Sequence, residues 1–243
     1  MLGLPEAIQG CLFDLDGVLT RTADVHRAAW GEVFDAVLAE LGPTPIKPFT
    51  ESDYLEYVDG KPRRDGVRDF LASRGIHLPE GDPGDPPTAN TIAGVGNRKN
   101  ELLLGKLQTD GVHVYEGSRR YLDAARKAGL RRAVVTASAN GTTVLDAAHL
   151  SGMFDAVIDG NVAAERKLAG KPAPDAYLAG AEALGLEPAQ AAVFEDALAG
   201  VAAGKAGGFG YVVGIDRANQ AAELREHGAT VVVSDLADLL EQP

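Results

Sequence analysis

The sequence predicts an α/β fold in which a parallel-sheet core is interrupted by an inserted helical cap. From about residue 112 onward, short β-rich apolar runs alternate with helical patterns, which is the signature of βα units and a parallel sheet. A first apolar run, Cys11-Leu12-Phe13, stands alone near the N-terminus, and the stretch between it and residue 112 carries helical patterns with no clear strand. With 243 residues the chain is long enough for a core plus a smaller domain. The expected architecture is a Rossmann-like core built from residues 1–22 and 110–243, with a helical cap over 23–109.

The elements follow in order. The apolar run ending at Phe13 is the first strand. Helical spacing of apolar residues then predicts helices over 25–41, 51–58, 64–74 and 98–108. Between them, 78–90 is rich in Pro, Gly and Asp and is expected to be a loop. It lies within an insertion-like stretch around 75–96. The remaining strands are expected at 132–136, 156–158, 191–194, 211–215 and 230–233.

Chemistry gathers where these runs end. Asp14 and Asp16 close the first one and open into Gly17-Val18-Leu19-Thr20. Residues i and i+2 of an extended chain project to the same side, so the two carboxylates leave the strand together. One can attack phosphorus while the other moves the proton. Two carboxylates and a phosphate need cations around them. Glu195-Asp196, at the end of Ala191-Ala192-Val193-Phe194, is a hard oxygen pair suited to magnesium. Lys171, before Pro172-Ala173-Pro174-Asp175, sits in a loop stiffened by prolines. Thr136-Ala137-Ser138-Ala139-Asn140-Gly141 follows a third run and offers hydroxyls, an amide and a helix N-terminus to a phosphate. Each motif alone has a plainer reading as a turn, cap or solvated loop. Open parallel sheets, however, bind ligands at the strand C-termini, where all four are expected.

In that order, Phe13-Asp14-Leu15-Asp16-Gly17-Val18, Thr136, Lys171 and Glu195-Asp196 resemble the four motifs of the haloacid dehalogenase superfamily of phosphotransferases. Thr20, Thr22 and His26 after the first motif, and Lys171-Pro172-Ala173-Pro174-Asp175, are similar to the beta-phosphoglucomutase branch. The resemblance implies an aspartyl-phosphate on Asp14 and a general acid/base at Asp16. It implies Mg2+ held by the Asp14 side chain, the Asp16 backbone carbonyl, Asp196 and Glu195. Thr136, the Ala137 amide and Lys171 would hold the transferring phosphoryl group. His26 and Lys99 would couple cap closure over the strand ends to the position of Asp16, and Arg63, Ser138 and Asn140 would bind the second phosphate. The implied reaction interconverts beta-D-glucose 1-phosphate and glucose 6-phosphate through glucose 1,6-bisphosphate. A magnesium-dependent sugar-phosphate phosphatase is the alternative, and a non-catalytic phosphosugar-binding protein a third. Two positions depart from the pattern: Asp59 and Ala139 stand where the family often has lysines, and Lys61 is the residue expected to compensate.

Composition narrows the partners. Lys plus Arg number 23 and Asp plus Glu 35, a net charge of -12. Such a balance argues against general binding to nucleic acid or anionic membranes. No apolar run approaches the roughly 18 residues of a membrane span. The expected protein is cytoplasmic, a monomer or weak homo-oligomer acting on a small phosphorylated sugar. Cys11 is the single cysteine and is expected to be a buried apolar residue.

Overall fold

Cys11, Leu12 and Phe13 are wholly buried, as an interior strand of a parallel sheet requires. The computed structural model describes residues 2–41, 45 and 47–240. In chain order it begins with β1 (Gly10–Phe13), α1 (Thr22–Leu41), the single turn α2 (Glu51–Asp53), α3 (Arg63–Ser73) and α4 (Ile92–Asp110). It continues with α5 (Glu116–Lys127), β2 (Arg131–Val135), α6 (Gly141–Ala147), β3 (Ala156–Ile158), α7 (Gly160–Glu165) and α8 (Asp175–Ala183). β4 (Ala191–Glu195), α9 (Leu198–Ala206), β5 (Tyr211–Ile215), α10 (Ala221–His227) and β6 (Val231–Val233) complete it. The chain divides into two units, Met1–Arg21 with Val112–Pro243, and Thr22–Gly111.

The first unit holds a six-stranded sheet in the order β3-β2-β1-β4-β5-β6, every neighbouring pair parallel. Phe13 is in register with Val134 on one side and Phe194 on the other. The C-terminal ends of β1 and β4 are therefore level, and Asp14 leaves the sheet beside Glu195. The strand order reverses about β1, which makes this the switch point where open α/β sheets bind ligands. Leu12, Val135, Val193, Tyr177 and Val201 belong to one buried cluster. Phe13 stacks on Phe194 with centroids 4.5 Å apart, and Tyr121 meets Phe13 edge-on at 6.3 Å. Burying side chains of this size contributes about 1.5–3 kcal/mol each, which anchors the strands whose ends carry the acids.

The second unit is helical and has its own core. Trp30, Val33, Phe34, Val37 and Leu38 recur at helical spacing along α1 and cluster with Val67, Phe70 and Leu71 of α3 and Ile92 and Val95 of α4. Phe34 and Phe70 lie 4.2 Å apart between centroids. Thr50 and Asp53 form a reciprocal capping box at the start of α2. Arg74 pairs with Asp53 at 2.7 Å. Burial would raise the Asp53 carboxyl, but hydrogen bonds from Arg74 and Thr50 hold it below its ordinary value.

Two expectations need correction here. The helix expected at 98–108 begins at Ile92. Gly94 and Gly96 have poor intrinsic helix propensity, yet the Thr91 side chain accepts from the Gly94 N–H and the first turn is buried, so capping and packing prevail. The insertion-like stretch thus ends inside α4. The helix expected over 51–58 is not uniform. After α2 the backbone widens over Tyr54–Val58, closed by an i→i+5 bond from Asp59 N to Tyr54 O at 2.9 Å. Among the described residues, no helix is long and apolar enough to cross a membrane.

Candidate active site

The extension of β1 beyond Phe13 sets the first group in place. Asp14 N donates to Phe194 O at 2.9 Å, a sheet-like bond between the two strand exits. Gly17 then turns the chain at φ +87°, a left-handed conformation that favours glycine. Its N–H donates to Thr20 O at 2.8 Å. A Cβ at this position would overlap the Asp196 carboxylate, so the absent side chain lets β1's exit approach that of β4. Asp14 is buried and Asp16 partly exposed.

Lys171 is buried and donates to Asp14 Oδ1 at 2.6 Å and to Glu195 Oε1. The Tyr177 hydroxyl donates to the same Glu195 oxygen at 3.0 Å, and its ring lies 5.0 Å from the ammonium. Glu195 Oε2 accepts from Ala197 N at 3.0 Å. Burial raises the Asp14 carboxyl well above its ordinary value against the opposing pull of Lys171, with the Glu195 and Asp16 charges adding to the rise. Burial alone would lower Lys171, but Asp14 and Glu195 outweigh it and hold the ammonium above its usual range. Burial and then the Glu195 charge keep the Tyr177 phenol protonated, as a donor must be.

Asp14, Glu195 and Asp196 each offer a carboxylate oxygen, and these oxygens lie within 4.8 Å of one another. Lys171 pairs with two of these three buried carboxylates, and hard oxygen donors gathered in this way suit a divalent cation. Asp16 is not one of that carboxylate group; its expected contribution was the backbone carbonyl.

The expected phosphate loop follows β2. Thr136 is buried, and its Oγ1 accepts from Ser138 N at 3.1 Å; Ser138 Oγ accepts from Asn140 N at 3.2 Å. Both hydroxyls thus serve as local caps, and each keeps an O–H to donate to an oxygen ligand. Ala137 lies between them. Asn161, which the sequence did not single out, donates to Ala139 O at 2.8 Å and ties this loop to α7.

The helical unit groups the other candidates. Lys99 is buried on α4, with its Nζ 3.0 Å from His26 Nδ1 and 4.9 Å from the Trp30 ring centroid. Arg63 donates to Asn100 Oδ1 at 2.6 Å, and burial lowers its pKa. Lys61 is paired with Asp69 at 2.9 Å within the helical unit. Cys11 is buried and its thiol is pushed up to about 12, by burial against the pull of Arg132.

The family model described as haloacid dehalogenase-like hydrolase matches residues 8–208. The chain is 55% identical over 247 residues to a protein of Mycobacterium bovis named beta-phosphoglucomutase, covering 99% of this chain and 94% of that one. It is 33% identical over 201 residues to hexitol phosphatase A of Escherichia coli, covering 82% and 80%. Among solved structures, a beta-phosphoglucomutase from Clostridium difficile is similar with a TM-score of 0.75 at 22% identity, covering 96% of this chain and 93% of that one. This last likeness speaks to the fold.

Proposed function

Since the chain belongs to the haloacid dehalogenase-like hydrolase family, we propose that it is a beta-phosphoglucomutase, converting beta-D-glucose 1-phosphate to glucose 6-phosphate through glucose 1,6-bisphosphate. The observation that carries this reading is Lys171 bridging Asp14 and Glu195 in a buried site. It supplies a nucleophile, its cation and an acidic neighbour at one strand switch point. The relative at 55% identity supports the mutase within that chemistry.

Asp14 attacks the phosphoryl group in line, the bond from phosphorus to the sugar oxygen breaks, and Asp16 gives that oxygen its proton. In the reverse sense, Asp16 takes the proton of a sugar hydroxyl, whose oxygen attacks the aspartyl-phosphate. The phosphoenzyme first phosphorylates the 6-hydroxyl of beta-D-glucose 1-phosphate. The bisphosphate reorients, and Asp14 recovers the phosphoryl group from C1. Asp14, the Asp16 carbonyl, Glu195 and Asp196 would hold Mg2+, which when bound offsets the negative charge of the carboxylates and the phosphoryl oxygens. Lys171, Thr136 and the Ala137 amide bind the equatorial oxygens, where charge is spread in such a transition state. Arg63, Ser138 and Asn140 are assigned to the non-transferring phosphate, and His26 and Lys99 to control of Asp16. A small phosphorylated sugar as substrate supports a cytoplasmic setting for the reaction.

A coupled assay tests the reading, with purified protein, Mg2+, beta-D-glucose 1-phosphate and a trace of glucose 1,6-bisphosphate. Bisphosphate-dependent glucose 6-phosphate with little free phosphate is expected. Phosphate release without isomerisation would replace it with the second reading, a sugar-phosphate phosphatase, which the 33% identity to hexitol phosphatase A favours.

A further inference from the structure

Asp14 N donates to Phe194 O where β1 and β4 leave the sheet. Beyond that point the two exits carry Asp14, Asp16, Glu195 and Asp196, whose like charges repel. Lys171 bridges Asp14 and Glu195 across the two exits. The segment that leaves β5 also bonds to both of them. Arg217 Nε donates to Gly17 O at 2.9 Å, next in sequence to Asp16, and its Nη1 donates to Ser234 O at 2.8 Å. Its guanidinium lies 3.7 Å from the centroid of the Tyr115 ring. Three residues on, the buried Gln220 donates from Nε2 to Asp196 O at 3.1 Å.

The segment is itself anchored. Asp216 N donates to Val233 O at 2.8 Å, and Asp216 Oδ1 accepts from Gln220 N at 2.8 Å. One short turn, tied to β6, thus grips the backbone just after Asp16 and the backbone of Asp196. Arg217 is suited to the task because its planar fork satisfies two carbonyls at once while stacking on an aromatic face. The acceptors next to Asp16 and on Asp196 are main-chain oxygens, so the turn sets where the backbone of the two acidic residues stands.

We propose that Arg217 and Gln220 are positioning residues that set the spacing between the Asp16 turn and Asp196, and with it the affinity for the divalent cation and the alignment of Asp16. The inference rests on the reading of this site as a metal-assisted phosphoryl-transfer centre. Groups that orient metal ligands in this way typically change metal affinity by about 10- to 100-fold when removed.

The test is calorimetric titration of the full-length protein with Mg2+ alone, alongside kcat and KM for beta-D-glucose 1-phosphate at saturating Mg2+. Arg217→Ala and Gln220→Ala should each weaken Mg2+ binding by about tenfold and lower kcat, while KM for the sugar phosphate changes less than about twofold. Arg217→Lys, which keeps the charge but reaches one carbonyl, should recover part of the loss. It also serves if the alanine variant fails to fold. Variants that lose thermal stability yet bind Mg2+ as wild type does would overturn the proposal, since the turn would then be merely structural. Wild-type protein that takes up no Mg2+ would overturn the underlying reading of the site as well.

Discussion

The Tyr177 hydroxyl and Glu195 Oε1 form a wholly buried hydrogen bond of 3.0 Å, directly beside the ion pair of Lys171 with the same oxygen. Tyr177→Phe keeps the ring next to the ammonium and removes only this donor. A hydrogen bond to a charged group contributes about 1.5–3 kcal/mol, so a loss of that order is expected in urea unfolding with EDTA present. Unchanged stability would show that Glu195 does not depend on the phenol. The kcat should fall too, because Glu195, which pairs with Lys171, loses a donor that fixes it.

Asp14→Asn should abolish turnover and phosphoenzyme labelling, and it should also change the pH dependence of stability. In the metal-free protein the Asp14 carboxyl is raised well above its ordinary value of 3.8, by burial above all. Between those two values the native state holds a proton that the unfolded chain has released. The contribution of Asp14 to stability therefore falls as pH climbs through that window. Asparagine has no such proton. In EDTA, the variant should gain on wild type as pH rises above about 4, measured by urea unfolding across a pH series; parallel curves would count against the raised carboxyl.

Gly17→Ala places a methyl group where the Asp196 carboxylate now lies and forces alanine to φ +87°. Backbone strain of this kind costs on the order of 1–3 kcal/mol. The displaced carboxylate should weaken Mg2+ binding by about tenfold or more, read by calorimetry. Wild-type affinity in this variant would mean that the two strand exits are not as closely set as described.

Lys99→Met keeps the aliphatic stem but removes the ammonium beside His26 Nδ1 and the Trp30 ring. Trp30 is the only tryptophan in the chain, so its fluorescence should change in the variant without any added ligand. If Lys99 helps direct transfer to sugar, the ratio of glucose 6-phosphate to free phosphate should fall. A change in fluorescence with an unaltered ratio would leave Lys99 a packing residue.

The acidic centre is legible in the sequence because Asp14 and Glu195-Asp196 each close an apolar run, at one end of a parallel sheet. Lys171 is legible by its Lys-Pro motif instead, since it stands in the loop before α8 and not at a strand end. Tyr177, Asn161, Arg217 and Gln220 were not legible. Tyr177 acts through a single hydroxyl within α8, where its ring reads as core. The other three donate to backbone carbonyls, which every residue possesses and no motif marks, and Arg217 lies 200 positions from its partner Gly17. The start of α4 was hidden by Gly94 and Gly96, whose poor propensity is overridden by the Thr91 cap and burial. The pairing of Lys61 with Asp69 was open to discovery, since eight residues separate them, but proximity in sequence does not say which acid a lysine meets.

The central position of β1 has a consequence for the order of assembly. Gly10–Phe13 takes its neighbours from Arg131–Val134 and Ala191–Phe194, so during synthesis the strand that ends at the nucleophile emerges long before either exists. Thr22–Gly111 is contiguous and carries its own apolar cluster, so it can condense first on the ribosome. The delay is tolerable because the entropy of closing a long loop grows only logarithmically with its length. A nascent chain halted before residue 191 would carry Asp14 and Lys171 but neither Glu195 nor Asp196. Catalytic competence is thus withheld from truncated products until the last third of the core is translated.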